Sequence, residues 1–238
     1  MSRETVERPS KELIEKFKEL STSTVWSMIG RVLHDRRLND MYYMENMKPL
    51  SQDLKLVGPA LTIKFFPIEY QDVILDKLDM GYRDMTQRIW EAIQPGDVLV
   101  AAALGHKMGP KNVGIWGDVV NTSYAARGAV GLICDGCVRD TPGVRKIFPV
   151  LLTGVGTVRP HRGVTPISVK TVVDCDGVRV RQGDIIVGDE LGVVVVPIEI
   201  AEQVAEMGLK IEESEQLSMK NFREGKSIKE VAAMGLTL

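Results

Sequence analysis

The sequence predicts a mixed α/β fold with a helical N-terminal extension and a C-terminal helix, and three observations carry that prediction. Strand patterns outnumber helical ones in the second half of the chain. A Gly-Asp turn feeding an apolar strand occurs twice, in QPGDVLVAAA (94–103) and in RQGDIIVGDELGVVVVP (181–197). Between them a helical stretch over 118–127 passes through Gly128 into an apolar strand. No low-complexity linker divides the 238 residues, so a single domain over 1–238 is expected, with 1–50 mainly helical and 198–238 a helical tail.

Taken in order, Ser10 followed by Ile14, Phe17 and Leu20 reads as a capped amphipathic helix, and 22–29 as a second short one. GPALTIKFF (58–66) alternates and stops at Pro67, as a strand does. Residues 70–94 carry helical spacing interrupted by Gly81, which predicts two helical pieces. After the strand over 94–103 come a Gly-rich loop (104–117), a helix (118–127), a strand (129–134) and a further strand over 148–152. Residues 169–173 and 178–180 suggest a hairpin around Asp176-Gly177. From 198 to 221, Ile200, Val204, Met207 and Ile211 share one helical stripe, the signature of a packing face.

Bulk properties exclude several function classes. Lys+Arg 30 against Asp+Glu 32 leaves a net charge of -2, without the basic excess that marks a nucleic-acid or anionic-membrane binder. The longest apolar run, near 192–198, is too short to cross a bilayer. The opening MSRETVERPSKELIEKF has no apolar stretch ahead of a cleavage site, and three cysteines, an odd number, suit a reducing compartment. A cytoplasmic location is expected.

The chemistry concentrates in CDGCVRD (134–140). A redox C-x-x-C opens a helix, whereas Cys134 closes an apolar strand and Asp135-Gly136 reads as a turn. Structural zinc needs about four ligands, and no second close pair accompanies these cysteines. Cys134 is therefore expected in the core and Cys137 in the turn.

The charged pair behind the cysteines reads differently. A helix of about 10 residues at about 1.5 Å each is matched by a returning strand of about five residues at about 3.3 Å. That length match brings 135–140 beside Gly117, Asp118 and Val119. Arg139 can grip a carboxylate or an enolate, Asp140 can ligate a hard cation, and helix-start amides favour an anion. Spacing alone leaves open a plainer reading, in which Arg139 and Asp140 are a solvated turn pair and Asp118 a helix cap.

GDVVNTSYAARGAVGLICDGCVRD (117–140) closely resembles the D-x20-R-D signature of the RraA-like proteins, matched by Asp118, Arg139 and Asp140. That family comprises metal-dependent 4-hydroxy-4-methyl-2-oxoglutarate / 4-carboxy-4-hydroxy-2-oxoadipate aldolases and regulators of ribonuclease activity A. LSTSTVWSMIG (20–30), LVGPALTIKF (56–65), FPVLLTGVGTVRP (148–160) and GDIIVGDELGVVVVP (183–197) follow in the family's order. The resemblance implies a swivelling β/β/α domain, assembled as a homotrimer or homohexamer with active sites between subunits. It implies Mg²⁺, Mn²⁺ or another divalent cation on Asp140, with Arg139 on the pyruvate part of a small 2-oxo acid. Asp118 would hold the protonating water, and the amides of Gly117, Asp118, Val119 and Val120 would receive the substrate carboxylate. An acidic residue of a neighbouring subunit's C-terminal helix, Glu212, Glu213 or Glu215, would act through water, with Glu215 taken as the candidate.

The implied chemistry is cleavage of a 4-hydroxy-2-oxo acid to pyruvate plus a second carbonyl compound, with oxaloacetate decarboxylation through the same enolate. Departures stand at Thr141-Pro142-Gly143-Val144, where some relatives continue with acidic residues, and in the segments 34–48 and 68–90, longer than expected. Lys107 and Lys111 sit in the Gly-containing loop, as solvated groups or as contacts to a distal carboxylate, and His106 beside them reads as a structural or solvated residue or as an acid/base. The competing reading is a regulator that binds a ribonuclease. A methyltransferase is not expected, because GVGTVRP (154–160) leads to Pro160 rather than into a helix.

Overall fold

The computed structural model describes residues 8–67, 81–103, 113–157 and 164–238. Ser10 is extended and its hydroxyl accepts the Leu13 amide at 3.0 Å, which starts helix α1, Lys11–Lys18. Helix α2, Thr22–Val32, starts in the same way at Ser21, whose hydroxyl accepts the Thr24 amide. Two distant carboxylates complete that helix start. Asp189 accepts from the Thr22 amide at 2.9 Å and hydroxyl at 2.5 Å, and Glu212 accepts from Thr24 Oγ1 at 2.7 Å. Replacing Ser21 with Ala is expected to cost about 1 kcal/mol, read as a lower denaturation midpoint at unchanged slope.

The 34–48 segment forms a 3₁₀ turn, Arg36–Tyr42, and two short strands, β1 (Tyr43–Met44) and β2 (Lys48–Pro49). Next come β3 (Leu56–Pro67), α3 (Tyr82–Ala92), β4 (Val98–Ala102), α4 (Asp118–Arg127), β5 (Gly131–Val138), the single turn α5 (Thr141–Val144) and β6 (Val150–Val155). The chain continues through β7 (Val164–Val169), the hairpin β8 (Val173–Cys175) and β9 (Val178–Val180), the hairpin β10 (Ile185–Asp189) and β11 (Gly192–Val196), and helices α6 (Ala201–Arg223) and α7 (Ile228–Ala233).

Strand β3 organises the sheet because it is long enough to serve two partners along one edge. Its first half pairs antiparallel with β10 and its second half antiparallel with β7, while its other edge runs parallel to β4. Strands β4, β5 and β6 continue the parallel ladder. Side chains alternate across β3, as the strand period of two requires: Leu61, Ile63 and Phe65 face the cluster shared with α3 and α4, and Ala60 faces the cluster shared with β8 and β9. A third cluster packs α1, α2 and α6 on β10 and β11. No helix among the described residues is long and apolar enough to cross a membrane.

Several expectations are corrected in detail. Strand β5 does not stop at Cys134: Asp135 and Gly136 form a bulge opposite Thr153, and Cys137 rejoins the ladder opposite Gly154. The Asp135 carboxylate, buried, accepts from the Ala103 and Asp176 amides, which satisfies it without a turn. The hairpin around Asp176-Gly177 is built from β8 and β9, and residue 169 belongs instead to β7, paired with β3. Gly81 is the N-cap of α3; the first predicted helical piece lies largely in 68–80, outside the described residues. The loop residues His106, Lys107 and Lys111 also lie outside them.

Candidate active site at the end of the central strand

The site forms where β5 leaves the sheet, at the carboxyl end of the parallel strands, the side on which open α/β sheets receive ligands. Here 137–139 are held on both edges. Ile115 donates its amide to Cys137 O at 2.8 Å and Arg139 donates to Trp116 O at 3.0 Å, while Gly156 donates to Val138 O at 3.1 Å. The segment carrying these partners is anchored by Trp116, fully buried and packed edge-to-face on Phe65 (5.4 Å, 69°) and Tyr124 (5.0 Å, 82°). Each such ring pair adds about 0.5–1.5 kcal/mol beyond its burial.

Glycines create the space for the charged groups. A Cβ on Gly114 would lie 2.7 Å from Arg139 Cβ and 2.8 Å from its amide nitrogen. One on Gly117 would lie 2.1 Å from Asp140 Oδ2 and 3.0 Å from Arg139 Cζ. Gly117 is extended (φ -112°), so it is the space above its Cα, not its backbone conformation, that demands glycine. On the far side a Cβ on Gly143 would meet Asp118 Oδ2 at 2.8 Å. The first turns of α4 and α5 therefore face each other across Asp118 and Asp140.

Arg139 Nη1 pairs with Asp140 Oδ2 at 2.9 Å, with the side chains 26% and 40% exposed. Arg139 Nε is buried and has no hydrogen-bond partner among the described residues, so part of the guanidinium fork is uncommitted there. Asp140 sits in the left-handed region (φ 54°, ψ 35°), an arrangement costing on the order of 1–3 kcal/mol that the α5 turn holds through Gly143 and Val144 amides donating to Asp140 O. Tyr82 of α3 donates its hydroxyl to Ile115 O at 3.0 Å. Burial pushes its phenol up to about 12, opposed by the Arg139 charge nearby, so it stays a neutral donor. A cleft of about 460 Å³ opens over Arg139 and Asp140, lined also by Pro142, Val155 and Thr157. A larger cleft, about 600 Å³, lies between α1 and β3 against Pro95 and Val130, at the opposite ends of β4 and β5.

The fold thus gathers Gly117, Asp118, Arg139 and Asp140. Of the α4 amides expected to be open for an anion, that of Val119 already donates to Asp118 Oδ1 at 2.8 Å. Glu215 is not brought to this site within the protomer, since α6 packs on α1 and α2. Glu212, its neighbour one turn earlier, is committed to the start of α2. Sequence reasoning missed Tyr82, Gly143 and the role of Gly117 as a gap. Glycines at 114, 117 and 143 are visible in the sequence, but only the tertiary structure shows which side chains fill the space they leave.

Asp140 suits a hard divalent cation: one partly exposed carboxylate leaves most coordination positions to water and substrate. Among the described residues no group of three or more His, Cys, Asp or Glu converges, so a protein cage is not on offer there. The cysteines do not serve. Cys134 and Cys175 are fully buried, and burial pushes both thiols well up; Cys137 is raised for the same reason. A Cys134→Ala, Cys137→Ala variant is expected to lose about 1 kcal/mol per site in stability. Any turnover that the wild type supports should survive in it; a folded variant that loses it would contradict this assignment.

The family model for RraA-like proteins, described as aldolase/RraA, matches residues 22–195. The chain belongs to the RraA-like family. The RraA-like chain is 27% identical over 172 residues to Protein DlpA of Legionella pneumophila, covering 72% of this chain and 26% of DlpA. It is 30% identical over 152 residues to a Halalkalibacterium halodurans protein named for 4-hydroxy-4-methyl-2-oxoglutarate aldolase activity, covering 63% of this chain and 64% of that one. The match thus spans about a quarter of DlpA and less than two thirds of the bacterial aldolase-named relative. Among solved structures, Streptomyces coelicolor RraAS2, described as an unusual member of the RNase ES inhibitor RraA family, superposes with a TM-score of 0.74 at 29% identity, over 90% of this chain and 99% of that one. The mixed α/β architecture agrees with that neighbour.

Proposed function

We propose that this protein is a divalent-metal-dependent lyase that cleaves a 4-hydroxy-2-oxo acid to pyruvate and a second carbonyl compound, and that it also decarboxylates oxaloacetate. The observation that carries this reading is the crowding above Gly117, where Arg139 and Asp140 share one pocket wall at the start of α4. Asp140 would hold a divalent cation such as Mg²⁺ or Mn²⁺, which supplies Lewis-acid polarisation of the 2-oxo group. Arg139, with its Nε uncommitted, would bind the pyruvate part and meet the negative charge that develops on its oxygen. The amides of the first turn of α4 would orient the substrate carboxylate, and Asp118, given its room by Gly143, would position the water that returns a proton to the enolate.

The reading includes a homotrimer or homohexamer with the site at a subunit boundary. Val119 and Val155, 76% and 61% exposed beside the site, support it, as apolar groups that a neighbouring copy would cover. Glu215 of such a neighbour would act through water. Three free, buried cysteines fit a reducing cytoplasm.

The test is pyruvate release from oxaloacetate and from a panel of 4-hydroxy-2-oxo acids, with Mg²⁺ or Mn²⁺ and after EDTA. Turnover that EDTA abolishes and metal restores is the expected result; turnover indifferent to EDTA would overturn the mechanism. The likeness to RraAS2 favours a second reading, a regulator that binds a ribonuclease, which would replace the first if no substrate released pyruvate and a ribonuclease were bound and inhibited.

A further inference from the structure

We propose that the cleft between α1 and β3 is a second binding site, for a small amphipathic anion whose carboxylate head meets Lys55 and whose apolar body lies along α1. The site is separate from the pocket over Arg139 and Asp140 and stands whether or not the protein is a lyase. Pro95, Gly96 and Val130 line it just before β4 and β5 begin, whereas Arg139 and Asp140 follow the end of β5. The eight residues of β5 put roughly 25 Å between the two.

Shape and charge specify the occupant. The cleft, about 600 Å³, has the size of a small-molecule site, with apolar walls that include Ile14, Leu56, Pro59 and Val130. Its charged lining is four cations, Arg8, Lys11, Lys18 and Lys55, against one acid, Glu15. Two of the cations are engaged. Arg8 donates to the buried Asp97 carboxylate at 2.5 Å and to Pro95 O at 2.7 Å, and Lys18 pairs with Glu15 at 2.7 Å. Lys11, the first residue of α1, forms no ion pair among the described residues.

Lys55 decides the chemistry of the head. Its ammonium carries three donors, and Leu20 O takes one of them. Asp189 stands 4.0 Å away, beyond hydrogen-bond range, and already accepts from the Thr22 amide and hydroxyl and from the Leu191 amide. Glu212 accepts from Ser21 and Thr24. Burial lowers the Lys55 pKa despite the charges of both carboxylates, so this half-buried cation is short of counter-charge. A carboxylate beside it would form a charge-assisted pair shielded from water by the apolar walls. Helix α1 spans about 12 Å, which sets the length of the apolar body. A neutral chain would leave Lys55 as it is, and a cationic head would be repelled.

Calorimetric titration of the full chain with octanoate, octan-1-ol and acetate tests this. Octanoate is expected to bind at least about tenfold more tightly than the alcohol, which lacks the charge, and than acetate, which lacks the body. Lys55→Met, which keeps an apolar stem, is expected to weaken octanoate at least about tenfold. Val130→Asp, at a wall position 37% exposed and so tolerant of a polar side chain, is expected to do the same while leaving the Lys55 contacts intact. Arg139→Ala is expected to bind octanoate as the wild type does. The proposal is overturned by any of four results: no octanoate binding, octanoate no tighter than octan-1-ol or acetate, wild-type affinity in a folded Lys55→Met or Val130→Asp protein, or affinity lost in Arg139→Ala.

Discussion

An Asp140→Asn variant is expected to release pyruvate from oxaloacetate at least about 1,000-fold more slowly than the wild type, roughly 4 kcal/mol at 1.36 kcal/mol per tenfold. The substitution is chosen for its backbone as much as its charge. Asp140 holds φ 54°, a region in which Asn is as well tolerated as Asp, so α5 keeps its start while the carboxylate is lost. The neutral amide leaves Arg139 without its ion-pair partner and would deprive the proposed divalent cation of its anionic ligand. Retained turnover in a folded Asp140→Asn protein would remove Asp140 from the mechanism. Arg139→Lys serves as the companion: it keeps the positive charge but not the planar fork, and a loss of about 100-fold is expected if two-point recognition of the substrate matters.

Gly117→Ala is expected to lower turnover by about 100-fold with a stability change of no more than about 1 kcal/mol. An added methyl would sit 2.1 Å from Asp140 Oδ2 and 3.0 Å from Arg139 Cζ, so at least one of the two side chains must move by about an ångström. Movement of that size is enough to spoil catalytic geometry, whereas an extended backbone at position 117 accommodates alanine without strain. The measurement is kcat against melting temperature. Wild-type kcat in Gly117→Ala would show that the Gly117 gap is not part of the site.

Much of the fold was legible because its signals are local. Ser10 and Ser21 cap helices, Gly128 ends α4 at φ 115°, and the Gly-Asp turns feed β4 and β10, all features of a few adjacent residues. The approach of Asp118 to Arg139 and Asp140 was legible for a different reason: one helix and one strand of matched length must return the chain to its starting edge. What escaped were features that depend on distant partners. Asp135-Gly136 reads as a turn because these residue types favour turns, yet β6 pairs on both sides of them and the Ala103 and Asp176 amides satisfy the buried carboxylate, so tertiary pairing wins over local propensity. Glu212 was one of three equivalent acids on a helix until the start of α2, nearly 190 positions away in sequence, claimed it.

The sequence alone determined most of the helices and core strands and which signature residues carry the charge, since capping, periodicity and spacing are properties of short chain segments. The tertiary structure decided that Gly117 and Gly143 are gaps for the side chains of Asp140 and Asp118, and that Tyr82 braces the site. Steric room and unpaired donors arise only where separate segments pack against one another, so no local pattern could have announced them.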